Sequence, residues 1–388
     1  MKVKVKLGDT IVSESVELQN QELIEETVSL WPDLPKHIRK KFVSENQENI
    51  DAYLDDLKFS NTLRSRKKLF MMQNLFSQNS ISAGISCNFD AILFPNGFMK
   101  GELTVLSGIS GGGKTALSIM ITSVSIGGYN RFLENPEHLT NPVIYVSLEQ
   151  PKHQLQARII STLLALNTEN DVFPYSDIIN YNAFSSKKSM NLGFSLFELY
   201  RKNLIILDKT DFGGTPSVQE LNYALENRLI FFDKKPLVII DRYENIDGAT
   251  IYSDDFIVRE IKSFAELNRV PVLLQAQMNK GAITTSSKNS GKFDETKISS
   301  NSLKGTSGLE HHASEVLIIV PDGSTREFEG VPSKIVTIIH PKSRFGCNDS
   351  IKMLFRGQDN IFVDYNETRG RKKKIEEVDN DETDGSSD

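Results

Sequence analysis

The run Gly108-Ile109-Ser110-Gly111-Gly112-Gly113-Lys114-Thr115 fits G-x-x-x-x-G-K-[ST], the spacing that cradles phosphate. Its glycines let successive backbone N–H groups turn inward on phosphate oxygens at the start of a helix. Lys114 can then reach β- and γ-phosphates, and the Thr115 hydroxyl can hold Mg2+. Gly108, Ser110, Gly111, Gly112, Gly113, Lys114, Thr115 and Ala116 form the expected nucleotide-binding set. A glycine-rich turn ahead of a core helix would look similar from the loop alone. The flanks favour the phosphate loop. Leu103-Thr104-Val105-Leu106-Ser107 reads as a buried strand, and Ala116 to Ile121 reads as a helix.

Hydrolysis of a nucleotide needs a carboxylate near the metal and a base that orients water. Leu237-Val238-Ile239-Ile240-Asp241 is an apolar strand ending in Asp. Asp241 is the expected metal partner; a cap after a core strand is the plainer alternative. Val143-Ile144-Tyr145-Val146-Ser147-Leu148-Glu149 also ends in an acid, and Glu149 at that tip would polarise the attacking water. Glu244, three residues beyond Asp241, is the competing base, and past the strand tip it also reads as a surface residue. Gln275-Ala276-Gln277-Met278-Asn279-Lys280 follows a strand opened by Val270-Pro271-Val272. An amide there would sense the γ-phosphate. Gln275 should point opposite to Ala276, with Gln277 past the strand end. Either could instead be a polar residue leaving a strand.

These groups need a scaffold. The chain has 388 residues, 39% hydrophobic and 25% charged, an ordinary globular composition with room for one large core and smaller parts. Its net charge of −6 excludes a globally basic protein, so any nucleic-acid contact must use local basic patches. The two cysteines, Cys87 and Cys347, suggest neither a disulfide framework nor a zinc site. Met1-Lys2-Val3-Lys4-Val5-Lys6 lacks an apolar signal core, and no stretch approaches the roughly 20 apolar residues that span a bilayer. A cytoplasmic protein without membrane contact is expected.

Apolar strand candidates are Leu103–Ser107, Val143–Leu148, Leu204–Leu207, Leu237–Asp241, Val270–Gln275, Val316–Val320, Lys334–Ile339 and Met353–Phe355. Several are continuous apolar runs, as in strands buried on both faces, and helices alternate with them. The expected fold is α/β with a mostly parallel central sheet, covering residues 83–365. Residues 1–82 form a smaller region. It opens on a hairpin over 1–13 and turns helical and charged from Gln19 to Leu75, with Trp31 as a core anchor. Within it, Leu63 to Met72 is basic on one side and apolar on the other. It reads as a helix docking on a neighbouring subunit, a nucleic-acid contact or a solvated amphipathic helix. Asn279 to Ser302 is polar and loop-like, and residues 366–388, basic then acidic, read as a disordered tail.

In their order, these motifs resemble the RecA-like motor of the DnaB-type hexameric replicative helicases. The resemblance spans about residues 83–363. Ser302-Leu303-Lys304-Gly305-Thr306-Ser307-Gly308-Leu309-Glu310-His311-His312-Ala313-Ser314 is similar to the family's Leu-Arg-x-Ser-Gly-x-Ile-Glu-x-x-Ala-Asp segment. Lys342-Ser343-Arg344-Phe345-Gly346 is similar to its Lys-x-Arg-x-Gly finger, and Phe89 to Gly97 to its lead-in. The resemblance implies that Lys114 and Thr115 bind phosphate and Mg2+, with Asp241 as metal partner. It makes Glu149 the catalytic carboxylate and Gln277 the γ-phosphate sensor. Lys342 and Arg344 would act on the nucleotide of a neighbouring copy, although an ordinary basic turn would read the same way. Lys280, Lys288, Lys292, Lys297 and Lys304 would contact DNA phosphates. The chain departs from the family pattern in three ways. Arg242 stands between Asp241 and Tyr243, Lys304 stands where the family carries arginine, and residues 1–75 are fewer than the family's helical collar, which meets primase.

The expected protein is an ATP- and Mg2+-dependent helicase. It forms a homo-hexameric ring on single-stranded and forked DNA, with primase or a loader as further partner. A compact phage or mobile-element member, in a bacterial cell or phage-infected host, fits this chain. A RecA- or RadA-like recombination ATPase and a regulatory or loader ATPase without translocation are the other two readings.

Overall fold

The computed structural model describes residues 2–7, 10–15, 80–83, 89, 92–93, 97–127, 129–132, 140–168, 173–180, 187–249, 254–278, 307–344 and 350–365. Several sequence expectations lie outside these residues: the helical stretch with Trp31 and Leu63–Met72, the Asn279–Ser302 loop with its lysines, Lys304 and the tail. The chain divides into two units, Met1–Asn74 and Leu75–Asp388. In the first, β1 (Lys2–Leu7) pairs antiparallel with β2 (Thr10–Ser15), Leu7 opposite Thr10. This is the hairpin that the alternating residues predict.

The second unit holds a nine-stranded sheet and a two-stranded pair, β3 (Ser80–Ile81) with β4 (Phe98–Met99). The large sheet contains β5 (Leu103–Gly108), β6 (Val143–Ser147), β7 (Leu204–Asp208), β8 (Leu237–Asp241), β9 (Val272–Gln275), β10 (Glu315–Phe328), β11 (Val331–Ser343), β12 (Ile351–Arg356) and β13 (Ile361–Asp364). Their order is β13-β12-β11-β10-β5-β9-β8-β6-β7. From β10 to β7 every neighbouring pair is parallel, and from β10 to β13 every pair is antiparallel.

Strands β5, β6, β8 and β9 are buried along their whole length. Because side chains alternate across a strand, their continuous apolar runs feed two cores. Tyr145, Ile239 and Leu273 join Ile119 and Leu163 on one face, under α1 (Lys114–Gly127) and α2 (Lys152–Asn167). Ile144, Ile240 and Leu274 join Leu221 and Ile261 on the other, under α5 (Val218–Leu229) and α6 (Asp254–Asn268). Two further helices, the short α3 (Tyr175–Asn180) and α4 (Lys187–Tyr200), precede β7, and α7 (Ser307–His312) precedes β10.

The sheet corrects several sequence expectations. Val270 and Pro271 precede the ladder, which starts at Val272, as a proline without an N–H would lead one to expect. Val316–Val320 and Lys334–Ile339 are only parts of the two strands of one long hairpin. Between them its register shifts from Pro321 to Thr325, and that irregularity absorbs the polar Asp322-Gly323-Ser324 stretch. Strand β13, only four residues long, carries too short a run to show a period, and β3 and β4 are shorter still.

A buried charge cluster fixes the turn after β12. Arg356, 1% exposed, donates from Nε to Asp359 Oδ1 at 2.9 Å and from Nη1 to Glu329 Oε2 at 2.8 Å. Glu329 also receives both terminal nitrogens of Arg131, at 2.8 and 2.9 Å. Asp359→Ala leaves a buried guanidinium short of its partner. The expected loss is about 3–5 kcal/mol of stability. Urea unfolding measures it, and a loss under ~1 kcal/mol would mean that the cluster contributes little beyond packing.

Candidate functional site

In an open α/β sheet, ligands settle outside the carboxyl ends of the strands where the strand order reverses. Here β5, β9, β8 and β6 are consecutive in the sheet, and their carboxyl ends face one pocket of about 340 Å³. From the loop after β5, Ile109 to Ala116 line it. The end of β6 adds Glu149 and Gln150, the end of β8 adds Asp241 and Arg242, and the end of β9 adds Gln277. Arg158, Tyr175, Lys334, Phe355 and Gly357 complete the lining.

The loop has the backbone that a phosphate cradle requires. Gly111 and Gly113 have φ of 73° and 106°, a region that glycine occupies without strain. A Cβ on Gly113 would come within 3.2 Å of the Phe355 and Phe362 rings, and one on Gly108 within 2.7 Å of the Ile319 carbonyl oxygen. The loop therefore presses against its own sheet on one side and opens to the pocket on the other. Lys114 Nζ donates to the carbonyls of Gly108 (2.8 Å) and Ile109 (3.1 Å). Burial pulls its ammonium pKa down, while the carboxylates of Glu244 and Asp241 oppose this.

Asp241 is 2% exposed and accepts hydrogen bonds from the Tyr145 hydroxyl, at 3.0 Å, and from the Thr115 side chain. Burial pushes its carboxyl up to about 6, against the pull of those two bonds. A hydroxyl and a carboxylate in direct contact are a donor set that suits Mg2+, which binds few protein oxygens and keeps several waters. Tyr145 also meets Ser118 Oγ at 3.0 Å, and Ser118 receives the Gln275 amide at 2.8 Å. Gln275 is thus buried in the network behind the loop, opposite in direction to Ala276, and Gln277 is the amide that lines the pocket.

Arg242 holds the strand tips together. Its Nη1 donates to Glu149 Oε1 at 3.1 Å, and its Nε pairs with Glu244 Oε2 at 3.5 Å. With the Gln277 amide oxygen turned toward it, Nη1 and Nη2 donate to that oxygen at 2.9 and 3.1 Å. Glu244 accepts the backbone N–H of Gln277 at 2.6 Å. Glu244 is not the free surface acid that its position past the strand tip suggested: it faces the junction of β8 and β9 and is absent from the pocket lining. Glu149 lines the pocket.

Residues 84–364 match the family model of the DnaB-like helicase C terminal domain. The chain belongs to that family. The DnaB-like chain also resembles two solved structures, both at 16% identity, a level that speaks to the fold alone. One is titled as an ATPase domain, with TM-score 0.57, covering 82% of this chain and 98% of that one. Another is titled "The Structure Of A DnaB-Like Replicative Helicase And Its Interactions With Primase", with TM-score 0.59, covering 84% and 74%. No curated protein matches the sequence. No helix among the described residues of the DnaB-like chain is long and apolar enough to cross a membrane.

Two expected residues of the DnaB-like site stand elsewhere. Lys342 and Arg344, at the end of β11, are not in the pocket lining. Lys342 Nζ donates to the Glu310 carbonyl, and Arg344 Nη2 to the His311 carbonyl at 3.0 Å. Both side chains thus meet the carboxyl end of α7, where cations are favoured. Arg158 and Tyr175, both in the pocket wall, were not anticipated from sequence. Arg158, on α2, is 9% exposed, held by Asn360 Oδ1 at 2.6 and 3.1 Å with its guanidinium 5.0 Å from the Tyr175 ring. Their sequence neighbourhoods carry no signal of this, since Arg158 shares its helix face with Gln154, Ser161 and Thr162.

Proposed function

We propose that this chain is an ATP-dependent replicative DNA helicase that assembles as a homo-hexameric ring on single-stranded DNA and unwinds duplex at forks. The observation that carries this reading is the convergence of the phosphate loop, Glu149, Asp241 and Gln277 on one pocket at the ends of four adjacent strands, in a chain of a helicase family.

In this reading, the loop N–H groups and Lys114 hold the triphosphate of ATP and draw charge from its β- and γ-oxygens. Thr115 and Asp241 would hold Mg2+, which would neutralise charge developing between the phosphates. Glu149 accepts a proton from the water that attacks the γ-phosphorus, as the bond to the ADP oxygen breaks. Gln277 contacts the γ-phosphate and relays its presence to the segment that follows β9. The lysines in and after that segment, Lys280, Lys288, Lys292 and Lys304, contact the phosphates of one DNA strand, which makes binding salt-sensitive and tolerant of sequence. A primase or a loader is the further partner, and the cytoplasm of a bacterial or phage-infected cell is the place of action.

Lys342 and Arg344 complete the site of a neighbouring copy. Their separation from the pocket of their own chain supports this, because a cation meant for the γ-phosphate in cis would line that pocket. Subunit mixing tests it. Arg344→Ala and Lys114→Ala copies, each inactive alone, should recover part of the parental ATPase when mixed, since some interfaces then pair an intact loop with an intact finger. No recovery in rings shown to contain both copies would count against action between subunits.

The deciding experiment is unwinding of 5′- and 3′-tailed forks by the full chain with ATP and Mg2+. Strand separation that depends on ATP supports the helicase. DNA-stimulated hydrolysis with strand exchange but no unwinding would favour a recombination ATPase, and hydrolysis with neither would favour a loader.

A further inference from the structure

Arg242 touches two groups that the hydrolysis reading uses, Glu149 and Gln277, and Glu244 beside them. Its guanidinium donates to Glu149 on the β6 tip at 3.1 Å and, with the Gln277 amide oxygen turned toward it, to that oxygen beyond β9 at 2.9 and 3.1 Å. Its Nε faces Glu244 at 3.5 Å, and Glu244 in turn holds the Gln277 backbone N–H. Asn245 fastens the same corner, donating to the Leu148 carbonyl at 2.9 Å. The arginine therefore joins the acid at one strand tip to the amide at another, across the tip that carries Asp241.

We infer that Arg242 is a positioning residue that restrains Glu149 until the end of β9 moves. The Glu149 oxygen that accepts from the guanidinium is committed to that bond rather than to a water. A planar fork can serve Glu149 and Gln277 together, as a single ammonium cannot. A shift of Gln277, whether from the nucleotide side or from the chain beyond Met278, would carry Arg242 with it and free Glu149 to take a proton from water. Hydrolysis would then be slow by default and would rise when DNA engages. This inference rests on the ATPase reading above.

The test compares steady-state ATPase of the full chain with and without an oligo-dT strand, for the parent, Arg242→Ala, Arg242→Lys and Glu149→Gln. Arg242→Ala should raise the DNA-free kcat by roughly two- to fivefold, the range that a half-exposed ion pair imposes on a rate. Its stimulation by DNA should shrink toward one, with the KM for ATP unchanged. Arg242→Lys should fall between parent and Arg242→Ala, and also covers the case in which the alanine variant does not fold. Adding Glu149→Gln to Arg242→Ala should abolish the gained turnover. An unchanged stimulation ratio in the variants, or a kcat lowered in both conditions, would overturn the inference. A parent without ATPase, or a fully active Glu149→Gln, would instead overturn the underlying reading.

Discussion

Glu149→Gln should bind ATP without turning it over. The substitution keeps the size of the side chain and an oxygen that can still accept from Arg242, 3.1 Å away. It removes the one property that matters for attack, the capacity to take a proton from water. A positioned general base contributes about 10^2–10^4-fold to a rate, and kcat for phosphate release should drop by that factor. Affinity for a fluorescent ATP analogue should stay close to parental, because the loop from Ile109 to Ala116 and Lys114 are untouched. Parental turnover would show that the base lies elsewhere. Glu244 would be a poor substitute in its present position, since it is spent on the Gln277 N–H and on Arg242.

Lys114→Ala should lose both ATP binding and turnover. Nζ is the cation of the phosphate loop, and its charge is most valuable where oxygens gain charge in the transition state. Losing one such contact costs on the order of 10^2–10^3 in kcat, with weaker ATP binding in addition. The fold should be almost indifferent. Among the described residues the lysine bonds only to the Gly108 and Ile109 carbonyls, at a half-exposed loop that water can solvate. A melting temperature close to parental, together with a lost ATPase, is the expected pair of results. A large fall in melting temperature would assign the lysine a structural duty and leave the kinetic loss uninterpretable as chemistry. Retained ATPase would remove the phosphate loop from the mechanism.

How far the sequence disclosed this differs by element. The roots of β5, β6 and β8 were legible to within a residue, because strands buried on both faces need unbroken apolar runs and these end in Gly108, Ser147 and Asp241. The candidate site was legible for the same reason: its residues stand at strand ends, where a pattern stops. Cross-strand polar contacts left no local trace. Tyr145 reads as one more apolar strand residue, yet its hydroxyl supports Asp241, 96 positions away. Arg158 and Asn360 meet across 202 positions, and neither neighbourhood signals the other. The outer part of the long hairpin was hidden because its residues are mostly exposed there, and an exposed strand needs no apolar rhythm. Arg242 could be seen as a charge following Asp241; its partners Glu149 and Gln277 depend on the order of β6, β8 and β9 in the sheet.

That same sheet has a mechanical implication. β11, which ends near Lys342 and Arg344, pairs with β10, and β10 pairs with β5 in a register that sets Ile319 beside Gly108. The finger and the phosphate loop of one copy are thus two ends of a single hydrogen-bonded plate. In the proposed ring, a copy that swings its finger toward a neighbour's nucleotide must swing its own loop as well. Each copy would behave as a stiff crank between two pockets, so that closing one site and moving the other are a single motion.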